Sequence, residues 1–271
     1  MYQNVKPLIY FAEGWSINMK IIGVIPARYE SSRFPGKPLA DICGKPMIWW
    51  VYQQCKKVKD FEGNIYVATD SEKIMEVCKE LSIKAIMTSN THRTGTDRVG
   101  EVAQKISADL IINIQGDEPL LEEKTIRAAI EPFYHNPDLQ ISNLMTKIKD
   151  PVDVVNCTIP KVITNKDGIG IFLTRSASPF PKGNLSYCYY KQVCVYGFKP
   201  EALKFFCDYG KKYGKAKIEL VEDIEILRFI ENGYKVQFLE VESDTIAVDT
   251  PDDLEKVRRF VREHDRAERK Y

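Results

Sequence analysis

The sequence predicts an α/β fold in which a mostly parallel β-sheet has flanking helices and carries a smaller mixed or antiparallel β lobe. Short apolar runs rich in β-branched residues alternate with segments of helical periodicity, a pattern that is typical of parallel strands joined by crossover helices. Several of these runs end in polar loops, which is where open α/β sheets bind their ligands. At 271 residues, the chain is long enough for one large α/β domain with an insertion.

The predicted elements follow one another closely along the chain. Residues 21–25 are a continuous apolar run that stops at Pro26, which indicates a fully buried parallel strand. After this strand, the pattern predicts a helix over 46–57, a strand over 64–69 and a helix over 72–81. A strand over 85–87, a helix over 99–106 and a strand over 109–114 follow. Towards the C-terminus it predicts a helix over 218–230, strands over 235–241 and 245–248, and a last helix that begins near 250.

Residues 138–200 depart from this pattern, because alternating strands with proline and glycine between them replace the helices. We expect this segment to extend the sheet and to cap the pocket as a lobe. The whole of 19–262 is expected to form a single domain, preceded by a flexible extension at 1–18 and followed by a charged tail at 263–271. The apolar stretch at 8–12 is too short for a signal-peptide core or a membrane span, so we expect a cytoplasmic protein that is not inserted in a membrane.

Charge and cysteine content exclude several classes of function. The chain has 39 basic and 38 acidic residues, a net charge of +1, so no overall field favours nucleic acid or a membrane surface. Seven cysteines, an odd number without a Cys-x-x-Cys pair, argue against a disulfide framework and a zinc ribbon. No Gly-x-Gly-x-x-Gly motif follows a predicted strand, so a dinucleotide cofactor is not expected. Any anion must therefore bind to a local cluster of charge.

The loop that follows the first strand has the composition of a polyphosphate site. It carries Arg28, Arg33 and Lys37 together with small residues such as Ser31. Cations and backbone N–H groups at that position can cradle a polyphosphate. A solvated basic loop is the alternative interpretation, but Pro-Gly-Lys-Pro at 35–38 stiffens the segment and fixes where Lys37 points. The Walker A pattern is absent, so the loop would bind a nucleotide by another design.

Carboxylates are predicted at the same edge of the sheet. Asp117 follows the strand at 109–114, and Asp249 follows the short strand at 245–248. Mg²⁺ is typically held by one or two carboxylates together with phosphate oxygens and water, and these two aspartates meet that requirement. The alternative for Asp249 is a structural role, since Thr250 can cap the last helix.

Five short motifs of the chain form a set. They are Ile-Pro-Ala-Arg at 25–28, Ser-Arg-Phe-Pro-Gly-Lys-Pro-Leu at 32–39, Thr-Gly-Thr-Asp-Arg at 94–98, Gln-Gly-Asp-Glu-Pro at 115–119 and Val-Asp-Thr-Pro at 248–251. With these motifs the chain resembles the CMP-Kdo synthetase family of sugar-acid cytidylyltransferases, from residue 20 to about residue 262. The resemblance implies a Rossmann-like fold of the nucleotide-diphospho-sugar transferase type and a homodimer, with the lobe serving in substrate binding and dimerisation.

The same resemblance implies a reaction and assigns residues to it. The enzyme would use CTP to activate an acidic sugar, 3-deoxy-manno-octulosonate (Kdo) or a Kdo-like 3-deoxy-2-ulosonic acid, with Mg²⁺ as cofactor. Arg28, Lys37 and Asp117 are the expected catalytic residues, and Asp117 and Asp249 are the expected metal ligands. The expected nucleotide-binding residues are Pro26, Ala27, Arg28, Ser31, Arg33, Lys37, Gly95, Thr96, Arg98 and Gln115. The expected acceptor-binding residues are Arg175, Gln192, Tyr196, Glu222 and Glu225.

Two positions depart from the family pattern and leave the acceptor open. Gln192 stands where the family has His, and Ile226 stands where it has Gln in Glu-Gln-Leu-Arg. Because a site built for a hydroxyl group discriminates strongly, the loss of this polar pair allows a variant acceptor, such as 8-amino-Kdo, another acidic sugar or a phosphonate. A different NTP and a catalytically silent nucleotide-binding homologue are further alternatives. The presence of both predicted metal carboxylates together with Arg28 and Lys37 argues against the silent homologue.

Overall fold

A computed structural model describes residues 19–30, 34–183, 186–243 and 246–268. The predicted extension at 1–18 lies outside the described residues, and so do Ser31 and Arg33 of the first loop. The described strands are β1 (Ile21–Ala27), β2 (Asp41–Ile42), β3 (Lys45–Pro46), β4 (Ile65–Thr69), β5 (Ala85–Met87), β6 (Leu110–Ile114), β7 (Ile141–Lys147), β8 (Lys161–Thr164), β9 (Gly170–Thr174), β10 (Tyr190–Phe198) and β11 (Gln237–Glu240). The described helices are α1 (Met47–Lys57), α2 (Glu72–Glu80), α3 (Gly95–Lys105), α4 (Glu123–His135), α5 (Pro151–Val155), α6 (Pro200–Tyr213), α7 (Lys217–Glu222), α8 (Leu227–Glu231) and α9 (Pro251–Glu268).

A nine-stranded sheet forms the centre of the structure, with a main strand order of β11-β7-β10-β6-β1-β4-β5. The half made of β6, β1, β4 and β5 is parallel throughout. Strand β10 runs antiparallel between β6 and β7, and β8 and β9 extend the sheet as an antiparallel pair. The predicted α/β class with a mostly parallel sheet and an antiparallel extension is confirmed, whereas the predicted domain and lobe boundaries stay a prediction.

Strand β1 is central because both faces of it are buried. Ile21 and Ile25 pack into one core beneath α1 and α4, while Ile22 and Val24 pack into a second core on the opposite face. Gly23 lies against the Phe61 ring, where an added Cβ would approach the ring carbons to 3.0 Å. The ends of β1 and β6 are therefore fixed side by side, and the loops that follow them leave the sheet at one edge.

The predicted helix over 218–230 is wrong, because the chain forms two short helices there. Helix α7 ends at Glu222, and Asp223 then adopts a left-handed backbone conformation with φ of 51°. The break lets the glutamates of this segment turn to different neighbours. Glu219 is fully buried against Arg228 of α8, and Glu222 bonds to Thr174 at the end of β9.

Two other predictions of secondary structure need correction. The helix predicted from 99 begins four residues earlier, at Gly95, because Thr94 and Asp97 form a capping box. The predicted strand at 245–248 begins outside the described residues, and 246–248 form no strand. Instead, the Val248 N–H donates to the carbonyl of Asp117 at 2.9 Å, which attaches this segment to the loop after β6.

No helix in the described parts of the chain combines the length and the apolar character that a membrane span requires. The longest, α9, is rich in charged residues and packs Leu254, Val257 and Val261 on the core. The cytoplasmic location stays a prediction.

Candidate active site

A cavity of about 230 Å³ opens at the carboxyl ends of β1 and β6. The residues that line it are Pro26, Ala27, Arg28, Lys37, Pro38, Gly95, Arg98, Gln115, Gly116, Asp117, Glu225 and Asp249. The structure thus brings together both predicted metal ligands, all three predicted catalytic residues and most of the predicted nucleotide-binding residues that it describes.

A larger cleft of about 570 Å³ lies along α3 and α6, and its lining includes His92, Glu101 and Lys211. None of the residues predicted for the site lines this cleft. Volume alone therefore does not identify the active site. The feature that does is the convergence of cations and carboxylates on the smaller cavity.

Two glycines let the neighbouring loops approach Pro26 at the end of β1. A Cβ on Gly116 would lie 3.0 Å from the Pro26 carbonyl oxygen, and a Cβ on Gly95 would lie 3.5 Å from the Pro26 ring. The loop after β6 and the start of α3 consequently meet at this residue. Ala27 is buried beside it, and Arg28 is the first exposed side chain beyond the strand.

A tight turn sets the direction of Lys37. Gly36 has φ of 72°, a left-handed conformation that glycine adopts without strain, and its N–H donates to the Tyr29 carbonyl at 2.7 Å. Lys37 then begins a short 3₁₀ turn in which Pro38 restricts the backbone. The turn lies where the Pro-Gly-Lys-Pro sequence predicted it, and the Lys37 side chain that follows lines the cavity. The stiffness of the segment stays a prediction.

The ammonium group of Lys37 joins the two carboxylates of the cavity. Lys37 Nζ lies 2.7 Å from Asp117 Oδ2 and 3.5 Å from Asp249 Oδ1. Asp249 is held in place from the C-terminal side, because the Asp253 carboxylate accepts hydrogen bonds from the N–H groups of Asp249 and Thr250. The helix cap that was the structural alternative for Asp249 is thus formed by Thr250 and Asp253, and the Asp249 carboxylate faces Lys37.

The first turn of α3 forms the wall opposite the lysine. Thr94 caps this helix and Gly95 lines the cavity, so the positive end of an eleven-residue helix lies beside the site. Thr96 is buried behind the wall, where its N–H donates to Glu225 Oε2 at 3.3 Å and its hydroxyl accepts a 3.4 Å bond from Asn113. Thr96 therefore supports the wall, and its contact with a nucleotide stays a prediction.

Arg98 lies on the same helix and is almost completely buried, with 1% of its surface exposed. Its guanidinium donates to Asp70 at 2.6 Å, to the Thr88 hydroxyl at 2.5 Å and to the Ser89 carbonyl at 3.3 Å. Its Nε–H makes no hydrogen bond to any residue that the structure describes. The arginine thus ties α3 to the ends of β4 and β5, and its Nε–H is left to meet a ligand.

Arg175 and Glu222 lie away from the cavity. The Arg175 guanidinium donates to the carbonyls of Glu222, Asp223, Cys157 and Thr158, at distances of 2.6 to 3.2 Å. The Glu222 carboxylate accepts bonds from the backbone and side chain at the end of β9. In this structure the two residues hold the lobe to α7, and their predicted contact with an acceptor has no support from the geometry.

Gln192 and Tyr196 of β10 also face protein. Gln192 Nε2 donates to Asn143 Oδ1 at 2.8 Å, and Tyr196 stacks on Phe198 with 5.9 Å between ring centroids. Burial raises the pKa of Tyr196 well above its ordinary value, so its phenol stays neutral. Ile226, the other position that departs from the family pattern, is 2% exposed and belongs to the hydrophobic core. Neither of the two departures from the family pattern lines the cavity described here.

Glu225 is the one predicted acceptor residue that reaches the cavity. Burial raises the pKa of its carboxyl, the hydrogen bond from Thr96 opposes this shift, and the nearby charges of Asp97 and Glu219 add to it. The Glu225 carboxyl is therefore easier to protonate than an ordinary glutamate.

Sequence reasoning missed two residues that shape the site. Asp70 is the ion-pair partner that orients Arg98, with 2.6 Å between Oδ2 and Nη2. Its signal was its place directly after β4, at the same sheet edge as Asp117. Gly116 allows the loop after β6 to approach Pro26, and its signal was a glycine between two polar residues at a strand end.

The donor set of the cavity fits a divalent cation of the Mg²⁺ type. One ammonium group contacts both Asp117 and Asp249, so both carboxylates can reach one cation. Among residues 19–30, 34–183, 186–243 and 246–268, no group of three or more His, Cys, Asp or Glu side chains is arranged to hold a metal ion. Two carboxylate ligands are what Mg²⁺ typically takes from protein when phosphate oxygens and water complete its shell.

Solved structures with this architecture define the class of the fold. A CMP:2-keto-3-deoxy-manno-octonic acid synthetase in complex with CTP superposes with a TM-score of 0.84 at 35% sequence identity, over 90% of this chain and 99% of that one. A 4-diphosphocytidyl-2C-methyl-D-erythritol synthase from Anaerococcus prevotii gives a TM-score of 0.58 at 17% identity, over 90% and 99% of the two chains. The second likeness shows the fold alone, which is that of the nucleotidyltransferases.

Sequence comparison narrows the class to a family. A 3-deoxy-manno-octulosonate cytidylyltransferase of Fusobacterium nucleatum is 40% identical over 247 residues, which cover 91% of this chain and 98% of that protein. The family model described as Cytidylyltransferase matches residues 22–240. The chain belongs to the cytidylyltransferase family, as the motifs around Arg28, Lys37 and Asp117 indicated.

Proposed function

We propose that this protein transfers the CMP group of CTP to 3-deoxy-manno-octulosonate, giving CMP-Kdo and pyrophosphate. The observation that carries the proposal is the convergence of Lys37 with Asp117 and Asp249 at the carboxyl edge of the sheet. The names of the relatives support CTP and Kdo as the two substrates. The proposed reaction forms a bond between a sugar hydroxyl oxygen and the α-phosphorus, and it breaks the bond from that phosphorus to the pyrophosphate oxygen.

The residues of the cavity suit this reaction because nucleotidyl transfer needs positioning and charge neutralisation more than covalent catalysis. Arg28 and Lys37 provide positive charge for the β- and γ-phosphates, and the start of α3 adds the positive end of a helix dipole. Asp117 and Asp249 would hold Mg²⁺, which, when bound, neutralises phosphate charge and favours ionisation of the attacking hydroxyl. Glu225, across the cavity, is placed to contact the acceptor.

Pyrophosphate release in the presence of Mg²⁺, CTP and Kdo tests the proposal, with 8-amino-Kdo and other acidic sugars as parallel acceptors. We expect Lys37→Ala and Asp117→Asn each to lower kcat/KM at least about 100-fold, because each removes a charge that faces the reacting phosphates. Lys79→Ala, which changes an exposed lysine of α2, is the matched control and should leave activity unchanged.

Near-wild-type turnover of either variant would contradict the role given to that residue. Release of pyrophosphate only with another acceptor would retain the cytidylyltransferase reaction and replace Kdo as its substrate.

A homodimer is part of the proposal. Exposed apolar side chains on the lobe side of the sheet support it: Ile171 of β9 and Leu220 and Val221 of α7 are 56%, 65% and 83% exposed. Such side chains on neighbouring elements are typical of surfaces that associate.

A further inference from the structure

Lys37 occupies the position between the two carboxylates that a divalent cation would need. Its Nζ lies 2.7 Å from Asp117 Oδ2 and 3.5 Å from Asp249 Oδ1, and the lysine side chain is only 17% exposed. The carboxylates are themselves partly exposed, at 27% and 44% of their side-chain surface. The lysine is thus less exposed to water than either carboxylate, which limits the screening of its charge.

The ammonium group of Lys37 compensates the negative charge of two carboxylates that lie close together. Two carboxylates that face one site repel each other, and Asp117 and Asp249 are brought together by the backbone bond between Val248 and Asp117. A lysine on the stiff turn at 37–39 supplies the balancing charge through a flexible four-carbon stem. The backbone of the turn is fixed, but the ammonium group at the end of the stem can move by rotation about side-chain bonds.

A divalent metal and this ammonium compete for the same oxygens. Mg²⁺ binds carboxylate oxygens at about 2.0–2.1 Å, and a second cation at hydrogen-bond distance from the same atoms repels it. We propose that Lys37 is an internal counter-cation of the metal site: it pairs with Asp117 and Asp249 until a metal arrives, and it then moves to the phosphates. This inference rests on the proposed function only for the second position, the polyphosphate.

If Lys37 leaves the two carboxylates when a metal binds, the metal and the nucleotide should bind together. Without nucleotide, a metal that takes Asp117 and Asp249 separates Lys37 from both carboxylates while no phosphate is present to receive its ammonium, so the metal alone binds at a cost. With a polyphosphate in the cavity, the metal and the lysine each gain a partner. The structure thus favours entry of the metal together with the nucleotide.

Binding of Mn²⁺ alone, without nucleotide or sugar, tests the inference. Free Mn²⁺ is measured by electron paramagnetic resonance during titration of the wild type, Lys37→Met and Lys37→Gln, with Lys79→Met as the matched control. We expect weak binding to the wild type and the control, and binding at least about tenfold tighter to both Lys37 variants, because a neighbouring positive charge has been removed. Asp117→Asn introduced into the Lys37→Met protein should abolish the gain, which locates the tight site at this carboxylate.

Equal or weaker Mn²⁺ binding by the Lys37 variants would overturn the inference, and so would tighter binding that persists after Asp117→Asn. Circular dichroism and the midpoint of thermal unfolding verify that the variants are folded. If either Lys37→Met or Lys37→Gln fails to fold, the other still provides the measurement. The result does not depend on the acceptor or on the proposed reaction, because neither CTP nor a sugar is present. A failure of the exchange and a failure of the proposed function are therefore distinguishable.

Discussion

The buried ion pair between Arg228 and Glu219 provides a sharp test of how α7 and α8 are held together. Arg228 Nε and Nη2 donate to the two oxygens of Glu219 at 2.7 and 2.6 Å, and Nη1 donates to the Phe206 carbonyl at 2.9 Å. The exposed fractions of the two side chains are 2% and 0%. The guanidinium also lies 3.6 Å from the centroid of the Phe206 ring, a cation–π contact in a site without water screening.

Arg228→Met would leave the Glu219 carboxylate buried without its counter-charge. Removal of one partner from a buried pair typically costs about 3–5 kcal/mol of unfolding free energy. At about 2–4 °C per kcal/mol for a protein of this size range, the expected fall in Tm is roughly 6–20 °C. The measurement is thermal unfolding followed by circular dichroism, compared with Arg127→Met as control. Arg127 pairs with Asp60 at 3.2 Å but is 53% exposed, so its replacement should cost roughly 1 kcal/mol or less.

The double replacement Arg228→Met with Glu219→Leu separates charge from packing. Apolar side chains of similar volume can replace a buried pair with little loss of stability, so the double variant should recover most of the Tm lost by Arg228→Met. An Arg228→Met protein that is no less stable than Arg127→Met would refute the reasoning. A double variant as unstable as the single one would show that packing and the bond to Phe206, and not the uncompensated charge, carry the effect.

Two further outcomes are expected. Arg175→Ala should lower Tm by several degrees while leaving the KM for CTP nearly unchanged, because the guanidinium binds four backbone carbonyls outside the cavity. A large rise of the KM for the acceptor sugar at unchanged Tm would instead support the predicted acceptor role of Arg175. Burial raises the pKa of the Cys78 and Cys207 thiols to about 11, so at pH 8 a thiol reagent such as DTNB should label them at least about 100-fold more slowly than the exposed thiols. The exposed thiols are Cys43, Cys157 and Cys188. Equal labelling rates for all five would contradict the buried positions.

The sheet edge and its charged loops could be predicted from the sequence because their signals are local. A buried parallel strand is a continuous apolar run, and the residue types that follow it are read directly, as with Asp117 after β6. Parallel strands then place such loops at one edge whatever the details of packing. Lys37 and Asp117 therefore met in the structure as expected from strand order. Asp249 joined them by another route, because the N–H of Val248 donates to the Asp117 carbonyl where a strand had been predicted.

The interpretation of the glutamates in α7 and α8 could not follow from the sequence, because their partners are distant in the chain or lie across a helix break. On the single helix predicted over 218–230, glutamates three residues apart would share one face. In the structure, Glu219 turns inward to Arg228 and Glu222 to Thr174. The same limit applies to Arg98, which was predicted to bind the nucleotide, because Asp70 on another element pairs with part of its guanidinium. A motif gives the residue type at a site. Whether that side chain bonds to other protein groups or to a ligand depends on tertiary contacts that the motif does not contain.

The C-terminal helix α9 shows how packing far from the loops determines the geometry of the cavity. Leu254 and Val257 of this helix pack with Ile42 and Met47, which follow the Lys37 turn in the chain. Arg258 reinforces the same junction by donating to the Asp41 carbonyl at 2.8 and 2.6 Å. Asp249 lies two residues before α9, and Lys37 lies five residues before Ile42, so the packing of these apolar side chains positions the backbone of both segments at the cavity. The sequence of α9 alone describes a charged amphipathic helix. Its contribution to the active site is to position Asp249 and the segment that follows Lys37.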